Sequence, residues 1–462
     1  MKKTTELVRS FLLALLGNPG VYALMAFMVT GMFTPGKLGM YRGWIELNVL
    51  VPWGLALAIL HLVRRVRQGK QPVRWDIAVL LVLFVWLLVP FMLRFGLAQN
   101  NIYSWQNHAI IFFGIYALGS SMEKKTLEQG MDLAGALGAV ITFVFCGALL
   151  LAAAMGLGSD SPDEFGFGVY LKAHLCSGAH YNTTGMLAMC AAFFCLMGVC
   201  RAKGKLAKAA HLIPALMAMV VTVLSQSRTA RYSLLAGLAV GCYGMVASGR
   251  WNPRTLIRHA AGMLAACVVL VGGYLAASGL TNAALRFYVQ EKPWVAIAEE
   301  TAPAQQEQNV PQKARGMGEG TFTGRTDVWK NIFKLWREKP KYMLIGNGMG
   351  RTSRDILIGT PLEGVGANQA HNTYLQFILD YGLIGFALLC LFFLLIVPQV
   401  WRVFFAAPGT AAAGTRALCM LVVGCLMTGM MESDPLGAMR PSNVMLVYAL
   451  TCISCAGRHM KK

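Results

Sequence analysis

Apolar residues run along this chain in long unbroken blocks rather than at alternating positions. Twelve blocks stand out, roughly residues 11–33, 45–63, 76–93, 105–121, 133–156, 182–200, 209–225, 232–248, 260–278, 378–400, 417–431 and 444–457. A helix needs about 20 apolar residues to cross a bilayer, so the pattern predicts an all-α integral membrane protein with about 12 transmembrane helices. The last two blocks are short and suit tilted or bundle-buried helices. The pattern breaks between residues 279 and 371, too long a stretch for an ordinary connection, and this predicts one large loop domain. Three parts follow: a bundle of nine helices over residues 1–278, the loop domain over 279–371, and three helices over 372–462.

Within the loop domain the polarity changes again. Residues Thr301 to Gly320 are polar and rich in proline and glycine, which predicts a mobile flap. The stretch TDVWKNIFKLWRE that follows places Trp329, Ile332, Phe333 and Trp336 at i, i+3, i+4 and i+7. That spacing predicts an amphipathic helix lying on the membrane or on the bundle, with Thr326 as its N-cap.

Composition narrows the class. The chain is 56% hydrophobic and 13% charged, against about 25% charged for a soluble globule. Disorder needs the opposite balance. Twelve cysteines in 462 residues are too thin for a disulfide framework. Eleven of them fall in the apolar blocks, only Cys176 lies in a connecting segment, and Cys452-x-x-Cys455 reads as small residues on one helix face.

The net charge of +20 would suggest nucleic acid in a soluble protein. Here its distribution carries the meaning. If the N-terminus is cytoplasmic, the segments on that side hold 22 Lys and Arg and the short outer connections hold 7. This bias orients both termini toward the cytoplasm and the long loop domain outward, with membrane lipids and no nucleic acid as surroundings. The basic N-terminus runs into the first block without a cleavage site, which predicts an uncleaved first span.

Several places depart from a plain bundle. The outer turn QSRTAR carries Arg228 and Arg231 at the membrane edge, where a cation is either functional or snorkels to lipid phosphate. GRTDVW puts Arg325 at the entry of the amphipathic helix, placed to bind an anion or to pair with Asp327. His371 stands where the loop domain re-enters the membrane, and a neutral imidazole there could take a proton; His108 is a weaker second candidate. Glu432 and Asp434 form an E-x-D on an outer turn that could bind a divalent metal or pair with the arginines. GNGMG, residues 346–350, lacks the context of a dinucleotide site and reads as a turn for close backbone packing.

Three pieces in order, SQSRTARYSLLAGL, GRTDVWKNIFKLWREKPKYMLIGNGMG and HNTYLQFILDYGLIGF, resemble the O-antigen ligase and polymerase superfamily of bacterial polytopic glycosyltransferases. The resemblance covers Ser225 to Phe386. It implies a GT-C-like bundle in the bacterial inner membrane, with the active site on the extracytoplasmic face. The implied reaction moves a glycan from an undecaprenyl-pyrophosphate carrier to a sugar hydroxyl of an acceptor glycan or glycolipid, in lipopolysaccharide or capsule biosynthesis. It implies no cofactor and no metal. By the same resemblance His371 is the catalytic residue, Arg228 and Arg325 bind the pyrophosphate, Arg231 is a supporting cation, and Glu432 and Asp434 are possible acidic support. A polysaccharide polymerase of the same superfamily is the nearest alternative. A glycan flippase fits less well, because the two halves differ in hydropathy. A membrane O-acyltransferase would leave the paired arginines without an anionic leaving group.

Overall fold

In a computed structural model the protein is described over residues 16–32, 37–67, 74–94, 105–158, 167–170, 174–177, 180–247, 253–291, 325–346, 370–406, 410–432 and 440–460. The predicted flap and Asp434 lie outside these residues. The helices are α1 (Pro19–Met32), α2 (Lys37–Ile45), α3 (Val51–Arg67), α4 (Trp75–Trp86), α5 (Leu88–Arg94), α6 (Leu118–Ser120), α7 (Lys124–Ala154), α8 (Tyr181–Arg201), α9 (Lys205–Leu224), α10 (Arg228–Ala247), α11 (Pro253–Glu291), α12 (Arg325–Glu338), α13 (Pro340–Ile345), α14 (Thr373–Phe404), α15 (Thr410–Gly429) and α16 (Pro441–His459). Two π-helical segments, Glu46–Leu50 and Ile110–Ala117, run into α3 and α6.

Every apolar block is helical where it is described, but the blocks are not equal. Among the described residues seven helices are long and apolar enough to cross a membrane: Tyr41–Arg67, α7, α8, α9, α10, Leu256–Phe287 and α14. The others are shorter or less apolar. The protein is therefore an all-α membrane protein in its main architecture, and among the described residues seven of its helices are clear candidate spans, where twelve were expected over the whole chain.

Burial explains the inequality. In α8 78% of the apolar window is buried inside the protein, in Leu256–Phe287 only 11%. The first is a core helix, whereas the second leaves most of its apolar surface for lipid. The final helix α16 is buried along nearly its whole length, which is why it tolerates a less apolar sequence than a lipid-facing span. Small residues let these helices approach closely. Gly237 and Gly241 of α10 face Phe193 of α8 and Met420 of α15, where a side chain would have no room.

The chain departs from a pure bundle at three points. A hairpin of β1 (Phe167–Tyr170) and β2 (His174–Ser177) precedes α8, paired antiparallel with Phe167 opposite Ser177 and Tyr170 opposite His174. Four-residue strands give too few alternations to be seen in sequence. Next, α11 continues past residue 278 to Glu291, so the boundary expected between bundle and loop domain falls inside a helix. Finally, α14 is two helices in one. Gly382 adopts φ +72 and ψ 175, separating Thr373–Tyr381 from the long span behind it. Gly346, at φ +89, packs into this break: a Cβ on it would lie 2.5 Å from the Asp380 carbonyl oxygen. The first glycine of GNGMG thus has the close-packing role its sequence suggested.

Candidate functional site

The turn between α9 and α10 brings Arg228 into place. Gln226, two residues past the end of α9, lies in the left-handed region at φ +55, a conformation a residue with a side chain seldom adopts. Ser227 then caps α10, its Oγ accepting from the Ala230 N–H at 3.2 Å. Arg228 opens α10 and lines a cavity. Arg231, one turn further, is buried and spends its guanidinium otherwise: Nε and Nη2 both donate to the Val223 carbonyl at the end of α9, at 3.0 Å and 2.5 Å. It does not line the cavity. The expectation of a second cation there meets a residue that fastens the turn.

Arg325 arrives on α12. Val328, Ile332 and Trp336 form the buried face of that helix and pack on Ala370, Ile378 and Leu379. The indole N–H of Trp329 donates to the Ala370 carbonyl at 2.9 Å. The amphipathic helix therefore rests on the bundle, and Phe333 stays exposed. The helix starts at Arg325, so Thr326 belongs to its first turn.

His371 lies between these pieces, at φ +48, the other described non-glycine residue in the left-handed region besides Gln226. Strained backbone of this kind persists where surrounding contacts enforce it and clusters at functional sites. The contacts are visible. Asn372 caps the first half of α14, its Oδ1 accepting from Tyr374 N and Leu375 N at 3.0 Å each. Its Nδ2 donates to the Met430 carbonyl at 3.1 Å. Thr373 Oγ1 donates to the Glu432 carbonyl at 2.6 Å, and Tyr374 OH donates to the Leu426 carbonyl at 2.8 Å.

Glu432 is the hub. Its residue exposure is 9%. Oε1 accepts from Arg325 Nη2 at 2.9 Å and from Asn182 Nδ2 at 3.1 Å. Oε2 lies 3.5 Å from His371 Nδ1. Glu432 thus ties α8 and α12 through its carboxylate and the start of α14 through its backbone carbonyl. The pairing of an E-x-D residue with an arginine, one of the two open readings of that motif, is realised at Glu432, with Arg325 pairing there.

Arg228 and Arg325 line a cavity of about 670 Å³. It follows α10 from Arg228 to Tyr243, about 22 Å at 1.5 Å per residue. Its polar end also holds His174, Tyr181, Asn182 and Gln226. Further along, Ala236, Ala239 and Val240 of α10 face Met263, Ala266 and Leu270 of α11. Tyr243 OH and His259 Nδ1 are 2.7 Å apart near the far end. The cavity joins a dicationic end to an apolar groove beside the lipid-facing helix. His371 and Glu432 sit behind Arg325 rather than on the cavity wall, and the His371 side chain is 28% exposed. His108, the second histidine candidate, is buried with Phe112 and Tyr381 elsewhere in the bundle. Cys176, the cysteine outside the apolar blocks, is buried in β2, and that burial pushes its thiol up to about 12, far from thiolate chemistry.

His174, Tyr181 and Asn182 carried no signal in the sequence beyond polarity at the start of an apolar block. They come to the site through a hairpin and a helix start that lie at least 43 residues before Ser225 counted from Asn182. Glu432 was visible, but its role depended on contacts over 107 and 250 positions.

Residues 212–390 match the family model described as O-antigen ligase. No curated protein matches the chain. The matched segment holds Arg228, Arg231, Arg325 and His371 and leaves out His174, Tyr181, Asn182 and Glu432. Over residues 212–390 the chain is thus similar to the O-antigen ligase and polymerase superfamily, whose members are glycosyltransferase-like enzymes with lipid-linked glycan substrates.

Proposed function

We propose that the protein transfers a glycan from an undecaprenyl-pyrophosphate carrier to the sugar hydroxyl of an acceptor glycan or glycolipid, as an O-antigen ligase-type enzyme of the bacterial inner membrane. In this reading both termini are cytoplasmic and the site opens on the extracytoplasmic face. The observation that carries it is the pairing of two cavity-lining arginines with a carboxylate-linked histidine just behind one of them.

The donor pyrophosphate lies between Arg228 and Arg325, and the apolar groove along α10 and α11 takes the carrier's tail. The bond from the anomeric carbon to the pyrophosphate oxygen breaks, and its electron pair leaves with the pyrophosphate. Two guanidinium groups suit that growing charge, since each offers a planar pair of donors. The acceptor hydroxyl attacks the anomeric carbon from the opposite face, inverting it, and His371 takes the hydroxyl proton. Glu432 Oε2, 3.5 Å from Nδ1, is placed so that its charge stabilises the imidazolium as it forms. The partial exposure of His371 gives the acceptor an approach separate from the donor's. Arginines carry the leaving-group charge here, so the reaction proceeds without metal and survives EDTA.

The test is carrier affinity and transfer rate measured side by side in purified protein. His371→Ala should keep carrier binding and lose about 10²–10⁴-fold in rate. Arg228→Lys and Arg325→Lys keep the charge but lose the two-pronged donor, and should weaken carrier binding. Near-normal transfer by His371→Ala sinks the general-base role, and EDTA loss restored by Mg²⁺ sinks metal independence. Glycan analysis of a deletion strain identifies the acceptor class. Free lipid-linked polymer marks a ligase, and loss of chain length with single units still attached marks a polymerase.

A further inference from the structure

We propose that His174, Tyr181 and Asn182 form the wall that reads the first sugar of the donor, the one joined to the pyrophosphate; this rests on the carrier reading above. These three residues line the cavity at its polar end, beside Arg228 and Arg325. They belong to β2 and the start of α8, outside the segment that matches the family.

The wall is held rigid. The Tyr181 ring stacks on His174 at 4.3 Å and 17°, and lies 3.9 Å from the His180 ring at 34°. His174 Nδ1 is 3.2 Å from the Ser225 carbonyl oxygen, which ties the stack to the turn that carries Arg228. Ser177 N and Ser177 Oγ each lie 3.0 Å from Thr184 Oγ1, fastening the hairpin to α8. Asn182 is anchored through its Nδ2 to Glu432. Groups fixed before binding lose little entropy when a ligand arrives.

Chemistry places the sugar there. A sugar bonded to the pyrophosphate must sit within one bond of the group that the arginines hold. Further along the cavity the wall is alanine, valine, methionine and leucine. Sugar hydroxyls or an acetamido group placed against those side chains would lose their hydrogen bonds to water without replacement. At the polar end a phenol, an imidazole and a carboxamide offer donors and acceptors at fixed positions. The pyrophosphate is common to every carrier-linked donor, so the arginines cannot distinguish glycans. Discrimination falls to whatever touches the sugar. A site built to hydrogen-bond one substituent rejects an analogue lacking it far more strongly than an apolar pocket rejects a missing methylene.

The experiment uses the full-length protein with three ligands: bare undecaprenyl pyrophosphate, and two donors that differ only in the first sugar, one with an acetamido group and one with a hydroxyl at the same carbon. Tyr181→Phe keeps the ring stack and removes the phenol oxygen. It should change the ratio of kcat/KM between the two donors by about tenfold or more, with bare-carrier affinity within about twofold of the unaltered protein. His174→Phe, which keeps a ring but not the imidazole, should also shift the ratio. An unchanged ratio in both variants overturns the proposal. So does a fall in bare-carrier affinity matching the fall in kcat/KM, or equal use of both donors by the unaltered protein. Bare-carrier affinity in Arg228→Lys and Arg325→Lys tests the carrier reading separately, since those variants leave the wall in place.

Discussion

Two buried carboxylates, Glu432 and Asp76, each join separate segments of this protein. Glu432 precedes α16 in the chain, and Asp76 meets Arg458 in the last turn of that helix, about 25 Å along its axis from Pro441. Each is nearly as buried as the other, 9% against 8% exposed. Each faces two basic side chains and one neutral donor. Around Asp76 the donors are Arg74 Nη2 at 2.5 Å, Arg458 Nη1 at 3.4 Å and Tyr116 OH at 2.7 Å. Arg74 also donates to Ser120 Oγ and Ser121 Oγ, and Arg458 to the Ser120 carbonyl. In that knot both guanidinium groups are spent on protein oxygens, although the Arg458 side chain stays 27% exposed. Around Glu432, Arg325 and Asn182 donate and His371 Nδ1 lies 3.5 Å away; there Arg325 and Asn182 also line a cavity while His371 is partly exposed. A buried ion pair is thus no sign of function by itself. The difference is that Arg325 and Asn182, beside Glu432, line the cavity that Arg228 also lines.

The comparison is tested first at Asp76. Asp76→Ala leaves two arginines facing each other without their carboxylate. Removing one partner of a buried pair costs about 3–5 kcal/mol, because the remaining charge is uncompensated. The expected outcome is a large drop in the thermal unfolding midpoint in detergent, with transfer per folded molecule unchanged. A loss of transfer per folded molecule at unchanged stability would erase the distinction between the two carboxylates.

Glu432→Gln is the matching change at the other carboxylate. Glutamine still accepts a hydrogen bond from Arg325 and Asn182, so the segments should stay joined. The charge beside His371 is gone, and transfer should fall by about tenfold to a hundredfold, part of the full 10²–10⁴ of a general base. Carrier affinity and transfer rate, measured with the unfolding midpoint, check this. A variant that unfolds as readily as Asp76→Ala would make Glu432 a second structural knot.

Much of this was legible in the sequence, for reasons that differ by residue. Hydropathy located the helices because lipid and core both select long apolar runs. It did not rank them, since α16 is buried among its neighbours and Leu256–Phe287 faces outward, and both read as apolar blocks. The amphipathic period of α12 showed its buried face, yet Phe333 belonged to the predicted stripe and lies outside it, because α12 packs on a narrow half-helix through Val328, Ile332 and Trp336. The break at Gly382 was present as a Tyr-Gly pair inside an apolar run, but its partner Gly346 lies 36 positions earlier. Arg228 and Arg325 stood out as charges at membrane edges, and His371 as a histidine where the chain re-enters the membrane. The meeting of Arg325 and His371 at Glu432 did not, because contacts across 107 positions leave no local pattern.

The finest version of the comparison lies within a single turn of α10. Arg228 and Arg231 are three residues apart, and charge rules alone treat them alike. Arg228 lines the cavity, whereas Arg231 is buried and gives Nε and Nη2 to the Val223 carbonyl. Arg231→Lys replaces a forked donor by a single ammonium that cannot reproduce both bonds, so it should cost about 1–2 kcal/mol of stability. It should leave the affinity for bare undecaprenyl pyrophosphate within about twofold. Arg228→Lys should do the reverse, holding the unfolding midpoint and weakening carrier binding by about tenfold, roughly 1.4 kcal/mol. Two lysine variants and two measurements, midpoint and affinity, thus give four numbers with a crossed pattern. If Arg231→Lys weakens carrier binding as much as Arg228→Lys does, the buried guanidinium turns toward the ligand when the carrier arrives, and its bonds to Val223 belong to the empty site only.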